Sequence, residues 1–212
     1  MNGPFDARAI KRDLVSSYDS DAVERDERGE PDWRNEHRNL FAAAMRAEEK
    51  TRLLEVGAGS GHSAAFFVAE GFTVVATDLS PGNVARCRAK GLDARVGDFY
   101  DLEFPDASFD AVWAMSCLMH APDADLPDVL DEMARVLVPG GIAMIGLWGG
   151  RGTSGIWEGD DHVPPRFYSL RTDDQVRAAF TEPFIIEQFD SIPNRPADPP
   201  DTHYQLLTVR KQ

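Results

Sequence analysis

The chain has 212 residues, 22 basic and 36 acidic side chains and a net charge of −14, long enough for one domain with a sizeable core. Ten acidic residues and no Lys or Arg lie between Asp98 and Glu132; such a face repels a phosphate backbone and argues against nucleic acid as a partner. Only Cys87 and Cys117 are present, too few for a disulfide framework or a zinc site, and without a signal-like N-terminus or an apolar run of about 18 residues a cytoplasmic protein away from membranes is expected.

In chain order, Asp6 to about Glu27 reads as a highly charged helix. Gly29-Glu30-Pro31 breaks it before a second helix from about Trp33 to Arg46, with Phe41, Ala44 and Met45 as its apolar stripe. The pattern then alternates: strand 52–56, helix 61–70, strand 72–77, helix 82–90, strand 92–96, strand 109–115, helix 124–137 and strand 141–148. Such alternation predicts a parallel sheet covered on both faces. Gly149 to Pro165, rich in glycine and charge, reads as a long functional loop. Thr172-Asp173-Asp174-Gln175 is a capping box opening a helix to Phe180. Two closing strands, 184–189 and 203–209, flank a loop carrying Pro193, Pro196, Pro199 and Pro200.

The most informative segment is Arg52 to Gly61, an apolar run joined to the turn Gly57-Ala58-Gly59-Ser60-Gly61. Glycines there let the chain bend sharply and let a ligand approach the main chain, and the following helix start favours an anionic group. Val74, Val75 and Ala76 lead to Asp78, placed to accept hydrogen bonds from the hydroxyls of a ribose. Two nucleoside cofactors compete for this geometry. A dinucleotide usually asks for G-x-G-x-x-G, whereas Glu55, two residues ahead of Gly57, is an awkward neighbour for two phosphates and suits a cation.

Leu54-Glu55-Val56-Gly57-Ala58-Gly59-Ser60-Gly61 resembles the first motif of class I S-adenosylmethionine-dependent methyltransferases. Thr77-Asp78-Leu79-Ser80-Pro81 is similar to that family's acid-plus-apolar pair, with Ser80 as helix N-cap and Pro81 at the first helical position. Val96-Gly97-Asp98-Phe99, Phe109 to Met115 and Arg135 to Gly141 resemble its later motifs, in the family's order.

The resemblance implies an α/β, Rossmann-like sheet of seven mostly parallel strands with the last antiparallel, helices on both faces and an N-terminal helical cap. Residues 1–212 would form one domain, with a cap over 1–50, a cofactor-binding core over 51–148 and a substrate loop, helix and strand pair over 149–212. S-adenosyl-L-methionine is the implied cofactor and a small molecule the implied methyl acceptor, with O- or N-methylation expected and no metal. The resemblance gives Gly57, Gly59 and Gly61 the cofactor bed, Glu55 its amino-acid end, Asp78 the ribose, Leu79 and Phe99 the adenine faces and Asp98 the adenine amino group. Met115, ending the fourth strand, would also line the cofactor. Tyr18, in a segment resembling the cap of small-molecule members, would approach the methionine end, and Arg34 or Arg38 its carboxylate.

Methyl transfer from a sulfonium is an in-line displacement whose leaving group needs no proton, so the protein chiefly positions and desolvates the nucleophile. His120, after the fourth strand, is the candidate base. His162, Arg166 and Tyr168 are candidates for contact with the acceptor, Arg166 through a bidentate fork on a carboxylate. His62, inside the glycine loop, is expected to face outward. Three alternatives stay open: a nicotinamide-dependent oxidoreductase, which leaves Glu55, Asp98 and Pro139-Gly140-Gly141 without a role, a protein that binds the sulfonium without methylating, and a methyltransferase of a macromolecular acceptor.

Overall fold

A computed structural model describes residues 5–28, 32–157, 159–193 and 201–212. The expected helix break at Gly29-Glu30-Pro31 and Pro196, Pro199 and Pro200 of the proline-rich loop lie outside the described residues. Two helices come first, α1 (Ala7–Arg28) and α2 (Asp32–Ala47). Then follow β1 (Arg52–Val56), α3 (His62–Ala69), β2 (Thr73–Asp78), α4 (Pro81–Ala89), β3 (Ala94–Val96), β4 (Phe109–Met115), a 3-10 turn at Leu118–His120, α5 (Leu126–Val136) and β5 (Leu137–Gly149). The chain ends with β6 (Thr153–Ile156), β7 (Phe167–Leu170), α6 (Asp173–Phe180), β8 (Phe184–Pro193) and β9 (His203–Lys211).

Seven strands form one sheet in the order β3-β2-β1-β4-β5-β9-β8. β1 to β5 run parallel, and β9 lies antiparallel to both β5 and β8, as the resemblance implies. Side chains alternate across each strand, so the sheet carries two cores. On one face Leu54, Val112 and Ile145 pack with Val129, Leu130 and Met133 of α5 and Phe180 of α6. On the other, Leu53, Trp113 and Met144 pack with Phe41 of α2 and Phe67 of α3, the ring centroids of Phe41 and Trp113 being 5.6 Å apart. β1 has β2 on one side and β4 on the other, so the order of winding reverses there, and a crevice opens at the carboxyl ends of the strands.

Local signals at two helix starts act as expected. Ser80 Oγ accepts from Asn83 N at 3.1 Å with Pro81 at the first helical position, and Thr172 and Gln175 close a reciprocal capping box. Two expectations need correction. Gly149 to Pro165 is not all loop, because β6 lies within it and pairs antiparallel with β7. The pairing is dictated by the wholly buried β7, not by the weak strand signal of Thr153-Ser154-Gly155-Ile156. The fifth strand, read over 141–148, starts earlier, at Leu137, and Pro139-Gly140-Gly141 forms a bulge inside it: Phe109 pairs with Leu137 while Ala111 pairs with Ile142, and Gly140 absorbs the kink at φ 71°. Among the described residues no helix is long and apolar enough to cross a membrane.

Candidate active site

A cavity of about 490 Å³ lies at the carboxyl ends of β1, β2 and β4, roofed by Ile10, Leu14 and Tyr18 of α1. These residues recur every four positions and so share one helix face, a stripe hidden among the charges of α1. The helix is fastened from several sides. Asp19 Oδ1 accepts from Gly82 N at 2.9 Å and from the Ser80 hydroxyl at the start of α4. Lys11 Nζ stands 2.5 Å from Asp98 Oδ2, and the Ser17 hydroxyl donates to the Pro164 carbonyl.

The glycine loop forms one wall. Gly57 N and Ala58 N donate to Thr77 O at 2.8 and 2.9 Å, tying the loop to β2, and Gly59 N donates to Asp78 Oδ2 at 2.7 Å. Asp78 Oδ1 accepts from Ser80 N at 2.9 Å and Asn83 Nδ2 at 3.2 Å. Gly59 has φ 56° and open space where a Cβ would stand. Gly61 was expected in the ligand bed, and the structure corrects this: it does not line the cavity, and a Cβ there would meet Leu92 Cδ1 at 2.7 Å and Cys87 Sγ at 2.8 Å. Its role is close packing of the loop on α4.

Glu55, Leu79, Asp98, Phe99 and Met115 all line the same cavity, together with Gly57, Gly59 and Asp78. Glu55 and Asp78 are buried. Asp98 shares its carboxylate between Lys11 and Tyr100 N, the latter at 3.0 Å. Arg34 lines the cavity and donates to Ser116 Oγ at 3.2 Å, whereas Arg38 does not reach it and turns to Asn35 and Ser63. His62 does not face outward. It is half-buried in the cavity wall, with Nε2 3.4 Å from Asp26 Oδ1 of α1.

Both cysteines support the loop, a function invisible in their spacing. Cys117 Sγ donates to Val56 O and Cys87 Sγ to Gly59 O, each at 3.3 Å. Burial, reinforced by the nearby Asp78 and Glu55 carboxylates, pushes both thiols up to about 12.

The far end of the cavity is aromatic, with Trp148, Trp157 and Tyr168 around Tyr18 and His120. His120 is buried, its Nδ1 2.7 Å from the Phe167 carbonyl and its Nε2 2.6 Å from Tyr18 Oη. A carbonyl only accepts, so Nδ1 carries the proton in the neutral ring and Nε2 accepts from Tyr18. Tyr18, expected at the cofactor end, thus directs its hydroxyl to His120. Arg171, unmarked by any sequence signal, is buried and donates to Leu118 O at 3.3 Å and Ala121 O at 2.6 Å, fixing the turn that presents His120. Burial lowers the Arg171 pKa despite Asp123 at 2.9 Å.

Arg166 also needs correction. Its fork is already taken by Asp160, through Nε at 3.0 Å and Nη2 at 2.6 Å, while Nη1 points at Tyr18 Oη at 3.3 Å. Burial opposes the charge of Arg166, but the Asp160 pairing outweighs it and holds the guanidinium above its usual range. His162 stands 3.1 Å from Asp21 Oδ2 of α1 and 3.2 Å from Asp160 Oδ1. Asp160, Asp161 and His162 bring three possible ligand atoms within 4.8 Å of one another, yet the Arg166 charge on Asp160 opposes a cation there.

Residues 54–145 match the family model described as a methyltransferase domain. The chain is 36% identical over 121 residues to 24-methylenesterol C-methyltransferase 2 of Oryza sativa subsp. japonica, covering 53% of this chain and 33% of that protein. It is 32% identical over 133 residues to 27-O-demethylrifamycin SV methyltransferase of Amycolatopsis mediterranei, covering 54% of this chain and 48% of that one. The chain thus spans less than half the length of these curated relatives. Among solved structures, Burkholderia thailandensis 1,6-didemethyltoxoflavin-N1-methyltransferase with bound 1,6-didemethyltoxoflavin and S-adenosylhomocysteine has a TM-score of 0.67 at 24% identity, covering 100% of this chain and 93% of that one. At that identity the likeness is one of fold.

Proposed function

We propose that this chain, whose residues 54–145 match a methyltransferase-domain model, is a class I S-adenosylmethionine-dependent methyltransferase that methylates oxygen or nitrogen of a small molecule, using S-adenosyl-L-methionine. The observation that carries this reading is a single cavity with two chemically different ends. One end has the open apex at Gly59 between the buried carboxylates of Glu55 and Asp78; the other has the Tyr18–His120 pair among aromatic rings.

Those residues fit an adenosyl sulfonium better than a dinucleotide, since a pyrophosphate laid along the loop would face two buried carboxylates. Asp78 would hold the ribose, Leu79 and Phe99 the adenine faces, Asp98 the adenine amino group and Glu55 the ammonium, with Arg34 at the carboxylate and Met115 beneath. When bound, the cofactor supplies an electrophilic methyl group on a positively charged sulfur. The protein's part is to exclude water and align the acceptor, which α1 does from above and Trp148, Trp157 and Tyr168 do from the sides. Residues 1–50 and 149–212 would shape the acceptor end around the core of 51–148. A cavity of about 490 Å³ roofed by a fastened helix favours a small acceptor over a macromolecule, as does the acidic stretch from Asp98 to Glu132.

The relatives' names span carbon, oxygen and nitrogen acceptors, so the accepting atom is the point to test. Purified protein incubated with the cofactor and panels of phenols, amines and carbon acids should form S-adenosylhomocysteine together with an O- or N-methylated product, identified by mass spectrometry. Product formation only with carbon acids, or only with protein or RNA, would contradict the proposal.

A further inference from the structure

We propose that Tyr18, carried into the cavity by α1, is the group that takes the acceptor's proton, and that His120 receives Tyr18's own proton in the same step. The inference rests on the methyltransferase reading and concerns how an acceptor hydroxyl is activated. It starts from the hydrogen bonds of His120. The Phe167 carbonyl holds Nδ1 at 2.7 Å and Tyr18 Oη holds Nε2 at 2.6 Å, so both ring nitrogens are engaged. Both side chains line the cavity, and because Nε2 is occupied by the Tyr18 hydroxyl, a proton leaving the acceptor reaches it through the phenol oxygen.

The surroundings suit such a relay. Arg166 Nη1 stands 3.3 Å from Tyr18 Oη with its guanidinium carbon 5.4 Å from the ring centroid, so negative charge developing on the phenol oxygen meets a fixed cation. Asp160 pins that cation through two hydrogen bonds and keeps it from swinging onto the acceptor. Arg171 holds the carbonyls of Leu118 and Ala121 on either side of His120.

The step balances. The acceptor O–H bond breaks and its proton goes to Tyr18 Oη, while the Tyr18 O–H proton goes to His120 Nε2. An oxygen lone pair forms the new O–CH₃ bond, and the S–CH₃ bond breaks with its electron pair left on sulfur. The positive charge lost at sulfur reappears on the imidazole, which later releases its proton to solvent. Tyr18 and His120 are 102 residues apart, and only the docking of α1 brings them together. The acid–base group is complete only with α1 docked over the cavity.

Two readouts test this, one independent of turnover. Imidazole ¹⁵N NMR of the protein saturated with S-adenosylhomocysteine should show His120 as the Nδ1–H tautomer with Nε2 hydrogen-bonded, and Tyr18→Phe should shift the Nε2 signal alone. Finding the proton on Nε2, or no change in Tyr18→Phe, overturns the pairing. p-Nitrophenol then serves as a chromophoric acceptor mimic at a pH one unit below its own pKa in solution. With the wild type it should bind as the phenolate, with His120 protonated by NMR. With Tyr18→Phe or His120→Gln it should stay neutral. A phenolate persisting in Tyr18→Phe, or failure of the wild type to ionise or bind the probe, overturns the relay. Absence of S-adenosylhomocysteine binding by calorimetry identifies failure of the methyltransferase reading itself.

Discussion

The backbone N–H of Gly59 donates to Asp78 Oδ2 at 2.7 Å, so the apex of the glycine loop and the acid ending β2 form one unit. Ser80 N and Asn83 Nδ2 bind the other oxygen, leaving no side on which an amide nitrogen would be welcome. Asp78→Asn must set an NH₂ against a donor whichever way it turns. Its affinity for S-adenosylhomocysteine should fall by about 10- to 150-fold, the equivalent of about 1.5–3 kcal/mol for a charge-assisted hydrogen bond. Calorimetry with both proteins checks this, and equal affinities would place the ribose elsewhere.

Gly59 and Gly61 should separate binding from stability. Both have positive φ, so alanine at either position is strained by about 1 kcal/mol. At Gly59 the added methyl enters open space beside the cavity, whereas at Gly61 it collides with Leu92 and Cys87, adding about 1–3 kcal/mol of overpacking. Gly61→Ala should therefore show the lower melting temperature, and Gly59→Ala the larger loss of cofactor affinity for a smaller loss of stability. Calorimetric scans and titrations on the two variants check the ordering; the reverse order would move the ligand bed to Gly61.

Cys87 and Cys117 should be inert in the folded protein. Burial and neighbouring carboxylates hold both thiols up at about 12, and the thiolate is the reactive form. Iodoacetamide at mildly alkaline pH should label neither cysteine in the native protein and both after unfolding, as read by mass spectrometry. Labelling of native Cys117 would mean that its contact with Val56 O is absent.

Glu48 ties the end of α2 to β9 through Arg210 Nη1 and Nη2, at 2.8 and 2.9 Å. The Arg210 hydrogen bonds lower its pKa from 4.5 to about 2, against the opposing effect of burial. A carboxylate whose folded pKa is depressed stabilises fully above its unfolded value, and that contribution is lost as the pH falls through the folded value. Glu48→Gln should be less stable than the wild type at neutral pH, and the gap should close between pH 4.5 and about 2. Urea midpoints across that range test it; a gap that does not vary with pH would mean the ion pair contributes nothing.

What could be read in the sequence was local. The glycine loop, the Ser80 cap, the Thr172 capping box and the apolar runs of β1, β2 and β4 each carry their signal within a few residues, and each lies where expected. The parts that were not legible depend on distant partners. β6 exists because buried β7 offers it a ladder. Arg166 reads as a free fork until the fold brings Asp160 against it, and His120 reads as an open base until α1 brings in Tyr18 from 102 residues away. Asp78 was placed correctly at the end of its strand, but its hydrogen bonds to Gly59, Ser80 and Asn83 required the loop and the helix start to be folded around it.

The most direct measurement is a crystal structure of the protein with S-adenosylhomocysteine. The ligand is expected in the cavity beneath α1, its ribose hydroxyls on Asp78, its backbone contact at Gly59 and its sulfur facing the chamber lined by Tyr18 and His120. Ligand bound outside that cavity, or inside it without contact to Asp78, would contradict the assignment.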